Sequence, residues 1–129
     1  KSWGGYAGLS VRFNQDLFDP VFTNFGGGSE MEHGKPMPWK YYAFRDIQGH
    51  PLGVAIFTNP ENLNHPEPWF VTNTEDHPFY FFSPSPIFNQ PHTFSKQENL
   101  SFGYRIQFYN GEADIDHLAA DYTSYLESK

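Results

Sequence analysis

The segment 59–70, with the sequence NPENLNHPEPWF, holds an imidazole and an indole in a stretch that proline makes stiff. Pro66 and Pro68 fix their own φ angles and restrict the residue before each of them. His65 is therefore held near one orientation, which suits a hydrogen bond to a substrate hydroxyl, proton transfer or metal ligation. Trp69 offers a face for stacking on a substrate. The simpler interpretation, which the sequence leaves open, is that His65 caps a turn and Trp69 packs in the core.

A second candidate is the stretch EMEHGKPM, residues 30–37, inside the longest irregular segment of the chain. Glu32 and His33 are acid–base candidates, because loops of this length often cover the sites of compact domains. Met31, His33 and Met37 could bind copper, and Glu30 with Glu32 and His33 could bind a harder ion. The spacing matches no strong metal signature. A solvated acidic tip is the simpler interpretation.

The third candidate is SWGGYAGLSVR, residues 2–12. Trp3 and Tyr6 offer flat faces for sugar C–H surfaces, and the glycines between them allow close approach of the backbone. Arg12 lies on the polar side of a predicted strand and could make bidentate bonds to hydroxyls or carboxylates. The alternative is a glycine bulge followed by a surface arginine.

The composition restricts the classes of function. The formal net charge is −7 and the eight basic residues do not cluster, whereas a nucleic-acid binder needs a basic patch. No apolar run approaches the roughly 20 residues of a membrane-spanning helix. The chain has no cysteine, which excludes disulfides, thiolate catalysis and cysteine-ligated metals. Nucleic-acid partners and a membrane span are therefore not expected.

Short alternating runs, punctuated by 11 glycines and 11 prolines, indicate an antiparallel β fold. Strands are predicted at 8–13, 39–47, 52–58, 69–73, 79–83 and 100–109, with a hairpin at Gly49. Asp114 is the predicted N-cap of a helix. The side chains predicted to face the core are Leu9, Val11 and Phe13 in the first strand, Leu100, Phe102, Tyr104, Ile106 and Phe108 in the last, and Ile115, Leu118, Ala119, Tyr122 and Leu126 in the helix.

These elements predict one all-β domain over residues 1–129. The expected architecture is an antiparallel β-sandwich with a short C-terminal helix, either complete or part of a larger sandwich. The chain begins at Lys1 rather than at methionine, which predicts a processed product or a fragment of a longer parent.

Three motifs, GGYAGLSVRF, HPLGVAIFTNPENLNHPEPWFV and LSFGYRIQFYNG, occur in this order along the chain. Together they resemble the C-terminal part of the bacterial PmoA-like ("methane oxygenase PmoA") family, a domain of unknown function. The resemblance implies the C-terminal portion of a longer parent and a secreted or periplasmic β-sandwich protein, often encoded near carbohydrate-degrading genes. The name does not imply methane oxidation, since the true methane monooxygenase subunits span the membrane and this chain has no spanning run.

The resemblance and the candidate residues predict a periplasmic or secreted protein that binds or processes a carbohydrate or sugar derivative, with a glycan or small sugar as its partner. An enzyme of this kind would use His65, Glu32 and His33 for acid–base chemistry. Arg12 would orient the substrate. Two alternatives stay open: a metal-dependent enzyme, with copper as the soft-ligand option, and a non-catalytic protein-interaction module. The residues identify no nucleophile and no cofactor.

Overall fold

The described part of the chain folds into two antiparallel β-sheets and one helix. The computed structural model describes residues 8–14, 18–72 and 79–128, without the side chains of 18–20. The elements are β1 (Val11–Asn14), β2 (Phe18–Asn24), β3 (Trp39–Arg45), β4 (Pro51–Thr58), β5 (Trp69–Thr72), β6 (Phe79–Pro84), β7 (Tyr104–Asn110) and α1 (Ile115–Glu127). One sheet has the strand order β1-β6-β5 and the other β2-β3-β4-β7. The predicted sandwich with a C-terminal helix is confirmed.

The main core lies between the two sheets, where alternate side chains of each strand meet. Leu9, Val11 and Phe13 pack against this core, as the alternation in the first strand predicts. The hairpin at Gly49 is also confirmed: its N–H donates to the carbonyl of Asp46 at 2.9 Å, and its φ of 82° suits glycine. The fully enclosed members of this core are Phe22, Met37, Tyr42, Val54, Ile56, Trp69, Val71 and Phe82.

A second core lies between the outer face of the four-stranded sheet and α1. The helix begins as predicted, with the Asp114 carboxylate accepting a hydrogen bond from the N–H of His117 at 2.8 Å. The buried helix residues are Leu118 and Tyr125. Tyr125 takes the place that the spacing had assigned to Leu126, whose side chain is exposed. The sheet side of this core consists of Trp39, Tyr41, Ala55, Phe57 and Tyr109.

Strand β7 differs from its prediction in length and in orientation. It begins at Tyr104 rather than at residue 100. The face predicted to be in the core is largely open, with Ile106 39% and Phe108 78% exposed. The opposite face meets the helix, where Tyr109 is buried. The cause is the position of β7 at the edge of a four-stranded sheet, which faces a sheet with three strands in the described part of the chain.

Candidate functional site

The segment 59–68 folds as a series of tight turns that present His65 and Glu67. The backbone N–H of Asn62 donates to the carbonyl of Asn59 at 2.9 Å, and the N–H of His65 donates to the carbonyl of Asn62 at 3.1 Å. Asn64 has a φ of 58°, and the His65–Pro66 peptide bond is cis. The side chain of Glu67 is fully buried, while that of His65 is 16% exposed. The turns therefore place a carboxylate inside the protein with an imidazole at its outer side.

The buried side chain of Asn62 forms a hydrogen bond to the Glu67 carboxylate. Its side-chain amide donates to Oε1 of Glu67 at 2.7 Å and to the carbonyl of Gly103 at 2.9 Å. Its Oδ1 accepts from the N–H of Gly103 at 2.7 Å. Every polar atom of the Asn62 side chain is thus bonded, as a buried amide requires. The network joins the segment 59–68 to the residue that precedes β7.

The geometry around His65 defines its tautomer. Nδ1 lies 3.1 Å from Oγ1 of Thr58 and 3.3 Å from Oε2 of Glu67. The carboxylate of Glu67 can only accept, and the Thr58 hydroxyl, which lies 3.0 Å from the carbonyl of Pro38, can donate to that carbonyl while it accepts from the ring. Nδ1 therefore carries the proton, and the lone pair of the neutral ring is at Nε2.

The negative charge of Glu67 acts on the hydroxyl groups of nearby tyrosines. Burial, and after it the charge of this carboxylate, raises the pKa of Tyr104 and of Tyr122. The Tyr104 hydroxyl is buried and makes no hydrogen bond within the part of the chain that the structure describes. The carboxylate thus lies in an aromatic surrounding where opposite charge or hydrogen bonds are needed to stabilise it.

Two cavities flank His65 along the chain. One, of about 480 Å³, has Asn62 in its wall, together with further amides, Glu61, Ser101 and two leucines. The other, of about 170 Å³, is lined by proline rings and by the side chains of Asn64, Asn89 and Gln90. The segment 59–70 is therefore both a rigid corner and the wall of two cavities.

Glu32 and His33, the other acid–base candidates, lie in a different place. Nδ1 of His33 is 2.9 Å from the carbonyl oxygen and 3.1 Å from the backbone nitrogen of Val71, so the ring covers the outer edge of β5. The ring also makes edge contacts with Phe70 and Phe88. Glu32, with a φ of 49°, forms an ion pair with Lys35 at 2.9 Å. Both residues have local structural partners.

The loop that carries Glu32 and His33 is tied down by a buried lysine. The ammonium group of Lys40 donates to the side-chain oxygen of Asn24 and to the carbonyl of Met31, the latter at 3.0 Å. Lys40 and Asn24 are completely buried. Burial lowers the pKa of Lys40 to about 8, against a weaker opposing effect of Glu32. The loop is therefore anchored through a cation that ionises near neutral pH.

This lysine predicts a pH dependence of stability. Between pH 8 and its ordinary value of 10.5, Lys40 binds a proton in the unfolded chain but not in the folded one. Stability must therefore rise with pH in this window, by roughly 1 to 2 kcal/mol between pH 8 and 9.5. Urea unfolding at half-unit pH intervals measures it. Lys40→Met should flatten the curve and Lys35→Met should not; an unaltered curve in the Lys40 variant would contradict the assignment.

The remaining candidates are the residues proposed to bind a substrate. Arg12 is exposed, and its guanidinium stacks on the ring of Phe79 at 3.9 Å. Trp69 has no exposed surface: it stacks on Phe82 and donates its indole N–H to the carbonyl of Met37 at 2.8 Å. The structure thus places Trp69 in the core, where no substrate reaches its face. Trp3 and Tyr6 lie outside the described residues.

The contacts of the candidate residues do not place them in one shared site. Arg12 contacts Phe79, His33 contacts β5 and Phe88, and His65 contacts Thr58 and Glu67. The residues that sequence reasoning missed are Glu67 and Asn62. The only sequence signal for Glu67 was the pattern His-Pro-Glu-Pro, in which two prolines fix two polar side chains that are two residues apart.

The two methionines among the candidate copper ligands pack in or against the protein interior. Met37 is in the main core, and Met31 packs against it. Over residues 8–14, 18–72 and 79–128, no three histidine, aspartate or glutamate side chains cluster as ligands for one ion. Within the same ranges, no helix has the length and apolar character to cross a membrane.

The comparisons with known proteins give a family without a function. The family model described as a family of unknown function, DUF6807, matches residues 2–123. No curated protein and no solved structure shows significant similarity to this chain. The match does not connect the chain to the PmoA-like family that its motifs resemble. It covers nearly the whole sequence, and the chain therefore belongs to the family of unknown function DUF6807.

Proposed function

We propose that the protein is a periplasmic or secreted protein that binds or processes a carbohydrate or sugar derivative, next to the pair formed by His65 and Glu67. The observation that carries the proposal is the contact of His65 Nδ1 with Oε2 of Glu67 at 3.3 Å, which assigns the ring proton to Nδ1. The Nδ1 proton is directed at a fully buried carboxylate and a threonine hydroxyl, and a lone pair at Nε2 can accept a proton or a hydrogen bond from a sugar hydroxyl.

The carboxylate supports this chemistry in two ways. It keeps the imidazole in one tautomer and orientation, and it stabilises the imidazolium that forms when Nε2 takes a proton. Asn62 keeps Oε1 of Glu67 occupied at 2.7 Å, which leaves Oε2 for the ring. The pair can therefore accept a proton without a large rearrangement.

The cavity that has Asn62 in its wall supports a polar, hydroxylated ligand. Besides Asn62, whose own amide is fully bonded, its polar lining residues are Asn59, Glu61, Asn99 and Ser101. Amide and carboxylate groups of this kind can exchange hydrogen bonds with several hydroxyls, and its volume of about 480 Å³ is within the range of small-ligand sites. The resemblance to a family encoded near carbohydrate-degrading genes supports the same class of ligand. Carbohydrate is the class of compound that offers hydroxyl groups at this density.

The test is a binding screen with a matched pair of histidine variants. The panel consists of glucose, galactose, mannose, N-acetylglucosamine, glucuronic acid and their common disaccharides, measured by thermal shift and by calorimetry. We expect at least one saccharide to raise the melting temperature. His65→Gln should weaken its binding at least tenfold, because Gln cannot present a basic ring nitrogen.

His92→Gln is the control. His92 also bonds a glutamate, with Nε2 2.8 Å from Oε1 of Glu98, but on a separate loop. This variant should bind the saccharide like the wild type. A panel without any shift, or an equal loss in the two variants, would contradict the proposal.

A further inference from the structure

Two of the sheet edges in the described part of the chain are protected against pairing with another strand. β2 contains Pro20 and a register shift between Phe18 and Val21. β5 is covered by the preceding loop, since the N–H of Trp69 donates to Lys35 at 3.1 Å and Trp69 accepts from Gly34 at 2.7 Å. Proline, irregularity and coverage are usual devices that prevent edge-to-edge association.

The edge strand β7 has none of these devices. It has seven residues in unbroken register with β4 and contains neither proline nor lysine. Within the described ranges no strand lies on its other side. The difference from β2 and β5 indicates that the edge of β7 is available for pairing.

The pairing of β7 with β4 shows which backbone groups are free. The bonds from Asn59 N–H to Gly103 and from Gly111 N–H to Pro51 flank the strand, and in an antiparallel ladder bonded residues alternate. Arg105, Gln107 and Tyr109 therefore bond to β4. Tyr104, Ile106, Phe108 and Asn110 direct their N–H and C=O groups away from it. These four residues form a continuous row of donors and acceptors.

The two central residues of this row, Ile106 and Phe108, have apolar side chains. Phe108 and Ile106 lie opposite Val54 and Ile56 of β4 and share the sandwich face with them. They are nevertheless 78% and 39% exposed. An exposed phenylalanine beside an open backbone edge presents both components of strand addition: backbone bonds for affinity and side chains for burial.

We propose that β7 pairs antiparallel with β7 of a second copy of this chain, about a two-fold axis through Gln107. In this register every outward-facing residue meets another outward-facing residue. Ile106 lies opposite Phe108 of the second copy, and Tyr104 lies opposite Asn110. Each of these pairs can exchange two backbone hydrogen bonds, and the two apolar side chains cover each other.

The distribution of charge favours the same partner. The chain has a net charge of −7, yet the one charged residue of β7 is Arg105. An acidic residue of α1 does meet the strand: the carboxylate of Asp121 accepts from Nε2 of Gln107 and from the hydroxyl of Tyr109, each at 2.7 Å. The proposed register places Arg105 opposite Tyr109 of the second copy, on the face where this carboxylate lies. Each copy thus offers a cation close to a carboxylate of the other, which favours self-pairing.

Sedimentation equilibrium of the intact chain, from 5 to 500 µM, tests the association. We expect the wild type to form a dimer in this range. Phe108→Lys should raise the dissociation constant at least tenfold, because it places a cation beside an apolar partner. Phe94→Lys is the control with the same change of charge, since Phe94 is 62% exposed on a separate loop. A monomeric wild type, or equal effects of the two variants, would overturn the proposal.

Cysteine variants test the register, because the chain has no cysteine of its own. A residue on the two-fold axis of a non-hydrogen-bonded pair faces its own copy at a separation that a disulfide can span. Gln107→Cys should therefore form a dimer on exposure to oxidised glutathione at 50 µM. Ile106→Cys should do so at least fivefold more slowly, since Ile106 faces Phe108. Equal rates would overturn the register, and no cross-link in either variant would overturn the pairing.

Discussion

Replacement of Gly53 by alanine is expected to lower the free energy of unfolding by about 3 kcal/mol, the upper part of the range for overpacked cores. A Cβ atom at Gly53 would lie 2.0 Å from the hydroxyl oxygen of Tyr41 and 2.4 Å from two of its ring carbons. The Tyr41 ring is 1% exposed in the core between sheet and helix. Because the overlap includes two ring carbons as well as the hydroxyl, the whole ring must shift to admit the methyl group. Urea unfolding at pH 7.5 measures the loss.

Two controls show whether the overlap is the cause. Gly28→Ala adds the same methyl group at a position where the nearest atom is 3.5 Å away, so it should change stability by less than about 1 kcal/mol. Tyr41→Leu shortens the side chain that meets the new methyl group. In the Tyr41→Leu background, Gly53→Ala should therefore cost much less than in the wild type. Additive effects of the two substitutions would contradict the steric explanation.

The sequence predicts the fold well where local patterns and tertiary demands agree. β3, β4 and the hairpin between them follow from apolar runs around Gly49, and α1 follows from its cap at Asp114. The alternation in β7 was also recognised, but its more polar face, with Arg105 and Gln107, also carries Tyr109, which packs against the helix. Which face is buried depends on the number of strands in the opposite sheet. This is a property of the assembled fold, and no local pattern reports it.

The candidate site was predictable only in part for a similar reason. The prolines around His65 indicated a fixed imidazole, and the structure gives that imidazole defined partners. Its pairing with Glu67 depends on turn geometry, and the contact of Asn62 with Gly103 joins residues 41 positions apart. Trp69 is a case in which the sequence pattern fits two different structures. A tryptophan at the start of a strand has the same sequence signal whether it packs inside or stacks on a ligand.

The substitution Asn62→Asp is expected to destabilise the protein by roughly 3 to 5 kcal/mol at pH 7.5, the cost of an uncompensated buried charge. One amide atom of Asn62 donates to both Glu67 and Gly103, at 2.7 and 2.9 Å. In aspartate this atom becomes an oxygen that faces two acceptors, one of them a buried carboxylate. Two carboxylates at this distance cannot both ionise without large cost, so the folded-state pKa of one of them must rise.

The sign of the pH effect follows from that raised pKa. A carboxyl group with a folded pKa above its unfolded value binds more protons in the folded state, so the stability of the variant falls as pH rises and recovers towards pH 5. Asn62→Ala removes the same hydrogen bonds without adding a charge. Its deficit relative to the wild type should change little between pH 7.5 and 5. Urea unfolding of both variants at the two pH values makes the comparison.

Equal pH responses would mean that residues 62 and 67 do not share an enclosed electrostatic environment. Glu67 could then not stabilise the imidazolium form of His65 in the way that the proposed acid–base chemistry requires.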